Sequence, residues 1–230
     1  MVFNPLYLLL ILPALLGWFA QVRVRKIYDK HGASTNSREV SGLEAAKRLL
    51  AHHGLTQVAI ERTPGHLTDH YDPQSKTLRL SDGVANGKSV TALGIVAHEV
   101  GHAAQDAQGY RFMQVRTALA RRVSQVTQWS SLVFVGGMLF GISILMALGG
   151  VMLAGLILFS LVTLPVERNA SNRALESLTQ AQLAATGEIQ EVRQVLRAAA
   201  FTYLAGVGQR LGTFLFFVIA VAAARGMWHA

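Results

Sequence analysis

The chain has 230 residues, of which 51% are hydrophobic and 15% are charged. This composition is too apolar for a typical soluble domain and too charged for a protein made only of membrane spans, so we expect both kinds of segment. Cysteine is absent, which excludes disulfide bonds and thiolate metal sites.

The first predicted element is a transmembrane anchor at residues 1–22. No charged residue lies between Val2 and Val22, and about 20 apolar residues are enough to cross a bilayer as a helix. The segment has neither a basic start nor a convincing cleavage site between small residues. We therefore expect a retained anchor rather than a removed signal peptide.

Residues 23–125 predict a small α+β domain in the order helix, strand, hairpin, helix. Ser41-Gly-Leu-Glu44 has the capping-box pattern of a helix start. Alternating residues predict a strand at 57–62, and two short segments around a turn at 72–75 predict an antiparallel hairpin at 67–71 and 76–81. The free edge of this small antiparallel sheet could hold a peptide substrate as an added strand.

The most informative motif is His98-Glu-Val-Gly-His102, an H-E-x-x-H pattern in a segment that is free of proline and begins at Ser89, a possible N-cap. Histidines four residues apart lie on one face of a helix, so both imidazoles can bind one metal ion. Glu99 can take a proton from the attacking water and pass it to the leaving amine. The pattern indicates peptide hydrolysis at a single zinc ion; the alternative is a core helix whose histidines only satisfy each other or a backbone carbonyl.

A catalytic zinc ion normally takes three protein ligands, and a helix of this kind supplies only two. Without cysteine, the third must be a distant carboxylate or histidine, and Glu167 is the best candidate. It follows Pro165, where a long apolar segment ends and where proline suits a helix boundary. The alternative for Glu167 is an interfacial surface glutamate.

The region after the metal-binding helix predicts further spans. No charged residue occurs between Val123 and Val166, so residues 126–166 predict a transmembrane hairpin of two helices, 129–148 and 151–166, with its turn at Gly149-Gly150. Residues 167–209 predict a helical region with the third ligand, and residues 210–225 a fourth span around Leu211–Ala224. One long helix from Ala198 onward is the alternative for this last part.

The distribution of positive charge predicts the orientation in the membrane. Of the 21 Lys and Arg residues, 20 lie at 21–128 or 167–210, and only Arg225 lies elsewhere. Positive residues favour the cytoplasmic side, so we expect both polar regions, and with them the catalytic domain, on the cytoplasmic face of the membrane. The net charge of +8 indicates attraction to anionic headgroups and not to nucleic acid, because aromatic and basic residues are not interleaved.

Four stretches resemble the YugP-type neutral zinc metallopeptidases, a bacterial family of membrane-integrated zinc proteases. They are Leu67-Thr-Asp-His-Tyr-Asp-Pro73, Val96-Ala-His-Glu-Val-Gly-His102, Leu164-Pro-Val-Glu167 with Ala170-Ser171, and Arg197-Ala-Ala-Ala-Phe-Thr-Tyr-Leu-Ala205. The resemblance implies a gluzincin-like site with zinc on His98, His102 and Glu167 and with Glu99 as the base.

The chain departs from related enzymes that carry an aspartate four residues after the glutamate ligand, because that position is Ser171. Asn169 or Ser171 could support a zinc-binding histidine instead, and Asp69 or Asp106 could supply the carboxylate. Candidates for stabilising the oxyanion of the transition state are His70, Arg173 and Tyr203. The remaining histidines are expected on the surface or in loops: His31, His52, His53 and His66.

Together these patterns predict a mainly α membrane protein with about four transmembrane helices and a small α+β, zincin-like metallopeptidase domain. The expected function is a zinc-dependent endopeptidase that acts on peptides or membrane proteins near the bilayer. A zinc-binding scaffold without proteolytic activity is the alternative, although it would not need Glu99. A transporter or channel is disfavoured because the predicted spans lack charged residues. The sequence does not indicate the oligomeric state.

Overall fold

The computed structural model describes the backbone of residues 5–228 and, within that range, the side chains except those at 5, 121, 124, 127, 128, 220 and 223–228. The first four residues of the predicted anchor and the side chain of Arg225 therefore lie outside the described part. After a 3-10 turn at Pro5–Tyr7, the elements are α1 (Leu8–Gly32), α2 (Gly42–His52), β1 (Ala59–Thr63), β2 (His70–Asp72), β3 (Thr77–Ser81), α3 (Asp82–Asn86), α4 (Val90–Ala107), α5 (Arg111–Leu139), α6 (Ser143–Gln180) and α7 (Thr186–Trp228).

The chain forms two compact units, each built from segments that are distant in sequence. The apolar unit consists of Met1–Gln21, Val115–Thr163 and Thr202–Ala230, and the α+β unit consists of Val22–Gln114 and Leu164–Phe201. Helices α1, α5, α6 and α7 each contribute residues to both units.

The α+β unit has a core built around α4. Helix α2 begins as its sequence predicts, since the Ser41 hydroxyl accepts a hydrogen bond from the Glu44 amide. Its apolar face, which includes Leu49, is buried together with Leu93 and Val96 of α4. Helix α4 also begins as predicted, because the Ser89 hydroxyl accepts a hydrogen bond from the Ala92 amide.

The sheet of this unit is mixed, which corrects the prediction of an antiparallel sheet. The order is β1-β3-β2, with β1 parallel to β3 and β2 antiparallel to β3. The predicted hairpin is present as the β2–β3 pair. Strand β3 lies between β1 and β2 because its side chains are apolar on the core face and Leu78 and Leu80 are completely buried. Strand β2 is consequently an edge strand.

In the apolar unit, α5 and α6 form the two arms of a hairpin, but the prediction of its turn at Gly149-Gly150 is wrong. The chain turns at residues 140–142, where Gly141 has a φ of +67°, a conformation that glycine adopts without steric cost. Gly149 lies inside α6, and a Cβ there would be 2.6 Å from the backbone nitrogen of Phe134 on α5. Gly149 therefore allows the two arms to pack closely.

Among the described residues, three helices are long and apolar enough to cross a membrane: Leu8–Gly32, Ser143–Gln180 and the described part of α7 up to Ile219. The apolar part of α5 is the shorter stretch Trp129–Leu139, whose length of about 16 Å is below the thickness of a bilayer core. Three candidate spans are thus found where four were predicted.

Two predicted helix boundaries are also wrong. Pro165 lies inside α6 and not at its end, and a helix interior can accommodate proline where neighbouring groups satisfy the freed carbonyl. No helix begins near residue 210, because α7 continues without a break from Thr186 to Trp228. This outcome matches the alternative of one long helix. The observed helix, however, begins at Thr186 and not at Ala198.

Candidate metal centre

Three side chains with metal-binding atoms converge in the α+β unit. They are His98 and His102 of α4 and Glu167 of α6, and their ligand atoms lie within 4.8 Å of one another. Glu167 Oε2 is 3.0 Å from His98 Nε2 and 3.6 Å from His102 Nε2. The side chains of His102 and Glu167 are almost fully buried, whereas that of His98 is 15% exposed.

The spacing of the two histidines along α4 places them on the same face, as their sequence predicts. Their ring centroids are 4.7 Å apart and their planes are nearly perpendicular. Both Nε2 atoms therefore approach the same carboxylate oxygen from different directions, which is the arrangement that a single ion between them requires.

Gly101 brings α6 close enough to supply the third side chain. A Cβ at this position would be 2.7 Å from the carbonyl oxygen of Ala170, so only glycine allows the two helix backbones this approach. Ala170 itself is completely buried, and it lies three residues after Glu167. The small residues at this crossing thus set the distance between the histidines and the carboxylate.

The second nitrogen of each histidine also has a partner. His102 Nδ1 is 2.9 Å from Gln105 Oε1, and His98 Nδ1 is 3.3 Å from the Ser171 hydroxyl. In the tautomer that leaves Nε2 free for a metal, each Nδ1–H donates to that oxygen. Ser171 therefore contacts a zinc-ligand candidate directly, as the sequence analysis allowed.

Sequence reasoning missed Gln105. It is completely buried, and its amide nitrogen donates to the Val166 carbonyl at 2.8 Å and to Asn169 Oδ1 at 2.9 Å. Asn169 also accepts a hydrogen bond from Arg173 at 2.7 Å. Gln105 therefore connects His102 to the same turn of α6 that carries Glu167. A signal was present in the sequence: Gln105 is the only amide side chain of this helix and lies three residues after His102.

The donor set fits a zinc ion. Zinc bonds of about 2.0–2.2 Å to nitrogen and oxygen place two ligand atoms of a tetrahedron roughly 3.3–3.5 Å apart, and the two distances from Glu167 Oε2 lie on either side of that range. Two imidazoles and one carboxylate are also the ligand types of catalytic zinc sites that keep one position open.

Glu99 lies between the two histidines in sequence and faces the edge strand. Its Oε2 accepts a hydrogen bond of 3.0 Å from the Tyr71 amide of β2. The Tyr71 side chain is buried, and its hydroxyl donates to Asp106 at 2.7 Å. Burial and this hydrogen bond raise the pKa of the Tyr71 hydroxyl well above its usual value, so it remains a donor. The edge strand is thereby attached to α4 at two positions, Glu99 and Asp106.

The other predicted site residues have different positions. His70 is exposed on β2, and its Nδ1 is 2.8 Å from the Thr68 carbonyl. Asp69 accepts hydrogen bonds from Ser81, and Asp106 binds Tyr71 and Lys76. Neither carboxylate therefore takes the supporting role that Gln105 and Ser171 have. Tyr203 belongs to the apolar unit, and its role in catalysis stays a prediction.

The expectation that the remaining histidines lie on the surface or in loops is wrong for His31, whereas His53 lies in the turn after α2. His31 is buried, and its Nδ1 is 2.9 Å from Glu191. His53 is half-buried with its Nε2 2.7 Å from the Ser177 hydroxyl. Each packs against a helix from the second half of the chain, a contact that the local sequence does not reveal.

Comparison with known proteins identifies a family and a relative of this chain. A family model described as "putative neutral zinc metallopeptidase" matches residues 6–222. The chain is 37% identical over 215 residues to a protein of Bacillus subtilis (strain 168) described as "Putative membrane protease YugP", and the alignment covers 93% of this chain and 96% of that relative. No solved structure gives a significant match.

Proposed function

The chain belongs to the neutral zinc metallopeptidase family, and on that premise we propose that it is a membrane-integrated zinc endopeptidase. In this proposal His98, His102 and Glu167 hold one zinc ion, and Glu99 is the general base. The observation that carries the proposal is the convergence of three ligand atoms from α4 and α6 next to a glutamate in the spacing that peptide hydrolysis requires.

The bound zinc would polarise the peptide carbonyl and make water more acidic. The residues of the chain supply the remaining steps. Glu99 takes a proton from the attacking water and transfers it to the nitrogen of the leaving amine. Gln105 and Ser171 keep the two imidazoles in the orientation and tautomer that metal binding needs.

Strand β2 is the proposed binding surface for the backbone of the substrate. It is one of the two edge strands of the sheet, and the Tyr71 amide points from it to Glu99. A peptide that pairs with this edge would place its backbone beside the catalytic glutamate. Substrate binding would then replace the Tyr71–Glu99 hydrogen bond and release the carboxylate for proton transfer.

The proposed substrates are membrane proteins or unfolded segments held at the bilayer. Glu167 lies four residues after Thr163, the last residue that α6 contributes to the apolar unit, a distance of about 6 Å along a helix. We place the catalytic unit on the cytoplasmic side of a bacterial inner membrane, where its basic residues also face anionic headgroups.

The test is cleavage of casein and of a membrane-protein substrate by full-length protein in detergent, combined with the zinc content of the same samples. Glu99→Gln should retain about one zinc ion and lose at least about 100-fold in cleavage rate. The control is Glu176→Gln, because Glu176 is an exposed glutamate on α6. Cleavage that persists in Glu99→Gln would contradict the assignment of the base. Zinc-loaded wild type that cleaves neither substrate would favour the non-proteolytic scaffold.

A further inference from the structure

A cavity of about 330 Å³ lies beside the metal-binding helix and has no role in the mechanism described so far. Its walls come from the end of α1, the loop before β2, the start of α3 and the first turns of α4. All of its lining residues belong to the α+β unit. The volume is within the range of ligand-binding pockets in proteins.

The position of the cavity relates it to the proposed catalytic base. Ile95 lines the cavity and precedes His98 and Glu99 by three and four residues, so it lies on the same face of α4 one turn earlier. Leu67 also lines the cavity, and it precedes by four residues Tyr71, whose amide binds Glu99. The hydroxyl of Tyr28, another wall residue, lies in the electrostatic field of Glu99 and Asp69.

The distance along α4 determines which part of a substrate the cavity can reach. Four residues of helix correspond to about 6 Å, and an extended peptide advances about 3.3 Å per residue. A peptide that lies along β2 beside Glu99 would therefore have the side chain of its first or second residue from the hydrolysed bond at the cavity.

The walls are mixed, and their apolar part offers a place for an apolar side chain. The polar side chains of the wall are Asp29, His66 and four hydroxyl-bearing residues. Three of the hydroxyls are engaged within the protein: Ser81 with Asp69, Ser89 with the Ala92 amide, and Thr91 with the Tyr28 carbonyl. The apolar part of the wall is formed by Leu67, Val84, Ala92, Ile95 and the Tyr28 ring. Burying an apolar side chain of the substrate there would stabilise the complex without displacing these hydrogen bonds.

From these observations we propose that the cavity is a specificity pocket for a large apolar side chain, such as leucine or phenylalanine, next to the hydrolysed bond. The proposal rests on the endopeptidase function proposed above. It assigns Ile95, Leu67 and Tyr28 as residues that select the substrate.

Two glycines in the wall provide a direct test. A Cβ at Gly83 or at Gly32 meets nothing within 4 Å, so a side chain added there enters open space. Gly83→Leu should lower cleavage of peptides with leucine or phenylalanine at the selected position by at least about tenfold and leave alanine peptides within about twofold. Gly32→Leu, on a different helix, should give the same pattern.

The matched control is Gly187→Leu. Gly187 is the second residue of α7 as Gly83 is of α3, and it too has nothing within 4 Å of a Cβ, but it does not line the cavity. The three variants are compared by cleavage of a peptide library with full-length protein in detergent. An unchanged preference in both Gly83→Leu and Gly32→Leu would overturn the proposal.

A second readout does not depend on hydrolysis. Peptides that carry p-benzoylphenylalanine are crosslinked to the Glu99→Gln protein, and the attachment sites are mapped by mass spectrometry. Crosslinks at residues 66–67, 83–84 or 92–95 that are lost in Gly83→Leu support the pocket, even if the wild type cleaves no peptide and the endopeptidase function fails. Crosslinks confined to other residues overturn the pocket, even if the wild type is an active peptidase.

Discussion

Gln105 shows how a single side chain can join the two helices of the metal centre. It accepts a hydrogen bond from His102 and donates to the backbone and to a side chain of α6. Groups that orient metal-binding histidines in this way usually change metal affinity when they are removed. Its complete burial means that these bonds do not compete with water.

We expect Gln105→Leu to weaken zinc binding by about 10- to 100-fold, because His102 loses the acceptor that fixes its tautomer and ring orientation. Affinity can be measured by competition with a chromogenic chelator on purified protein. Gln108→Leu is the matched control, since Gln108 is exposed three residues later at the end of α4. Equal zinc affinities of the two variants would show that Gln105 does not support the ligand.

The same residue illustrates what the sequence can predict about the site. The spacing of His98 and His102 is a local property of one helix, so it predicts their shared face correctly. The role of Gln105 depends on which turn of α6 lies opposite, and the approach of α6 depends on the contact of Gly101 with Ala170. Contacts between residues about 70 positions apart are not encoded in any local pattern.

At the scale of elements, the turn of the β2–β3 hairpin is held by Asp72. Its carboxylate accepts hydrogen bonds from the Gln74 amide at 2.9 Å, the Ser75 hydroxyl at 2.8 Å and Arg79 at 3.0 Å. The Gln74 amide and the other two donors lower the pKa of Asp72 to about 2. The turn thereby fixes the edge strand that we propose as the substrate surface.

This lowered pKa predicts a dependence of stability on pH. The folded pKa lies below the unfolded value of about 3.9, so the charged Asp72 stabilises the fold above pH 4, and this contribution is lost as the pH falls toward 2. Asp72→Asn should lower Tm at pH 6 but much less at pH 2.5. Asp82→Asn is the control, because the Asp82 side chain is 80% exposed. A Tm difference for Asp72→Asn that stays the same at both pH values would contradict this assignment.

The α5–α6 hairpin shows why glycine alone does not locate a turn. Gly141 and the pair Gly149-Gly150 are all compatible with a turn, and the chain uses Gly141 because Gly149 is needed where α6 contacts Phe134. The parallel pairing of β1 with β3 was likewise not predictable, since β2 separates the two strands in sequence although they are direct neighbours in the sheet. The helix starts at Ser41 and Ser89 were predictable because a cap involves only neighbouring residues.

Gly149→Ala should destabilise the protein by about 1–3 kcal/mol, because the added methyl group overlaps the backbone of Phe134. Gly155→Ala on the same helix should have no such cost, since nothing lies within 4 Å of a Cβ there. It should even stabilise α6 slightly, because alanine favours helices over glycine. Thermal unfolding in detergent measures both variants, and equal Tm values would contradict the close packing at Gly149.

At the scale of the whole molecule, the absence of cysteine makes sidedness measurable with single introduced cysteines. Phe140 lies in the α5–α6 turn with 78% of its surface exposed, and we propose that this turn is outside the cell. Gln108 is exposed in the α+β unit, which we place in the cytoplasm. In intact cells, an impermeant maleimide should label Phe140→Cys, and it should label Gln108→Cys only after permeabilisation. Labelling with the opposite preference would reverse the proposed orientation.

The central claim is that α4 and α6 together form one zinc site, and the zinc content of Glu167→Ala tests it most directly. Wild type should bind about one zinc ion per chain, whereas Glu167→Ala should lose the metal and the cleavage activity together. Glu176→Ala, with its exposed side chain nine residues later on the same helix, should behave like wild type. Full zinc content and activity in Glu167→Ala would contradict the site described here.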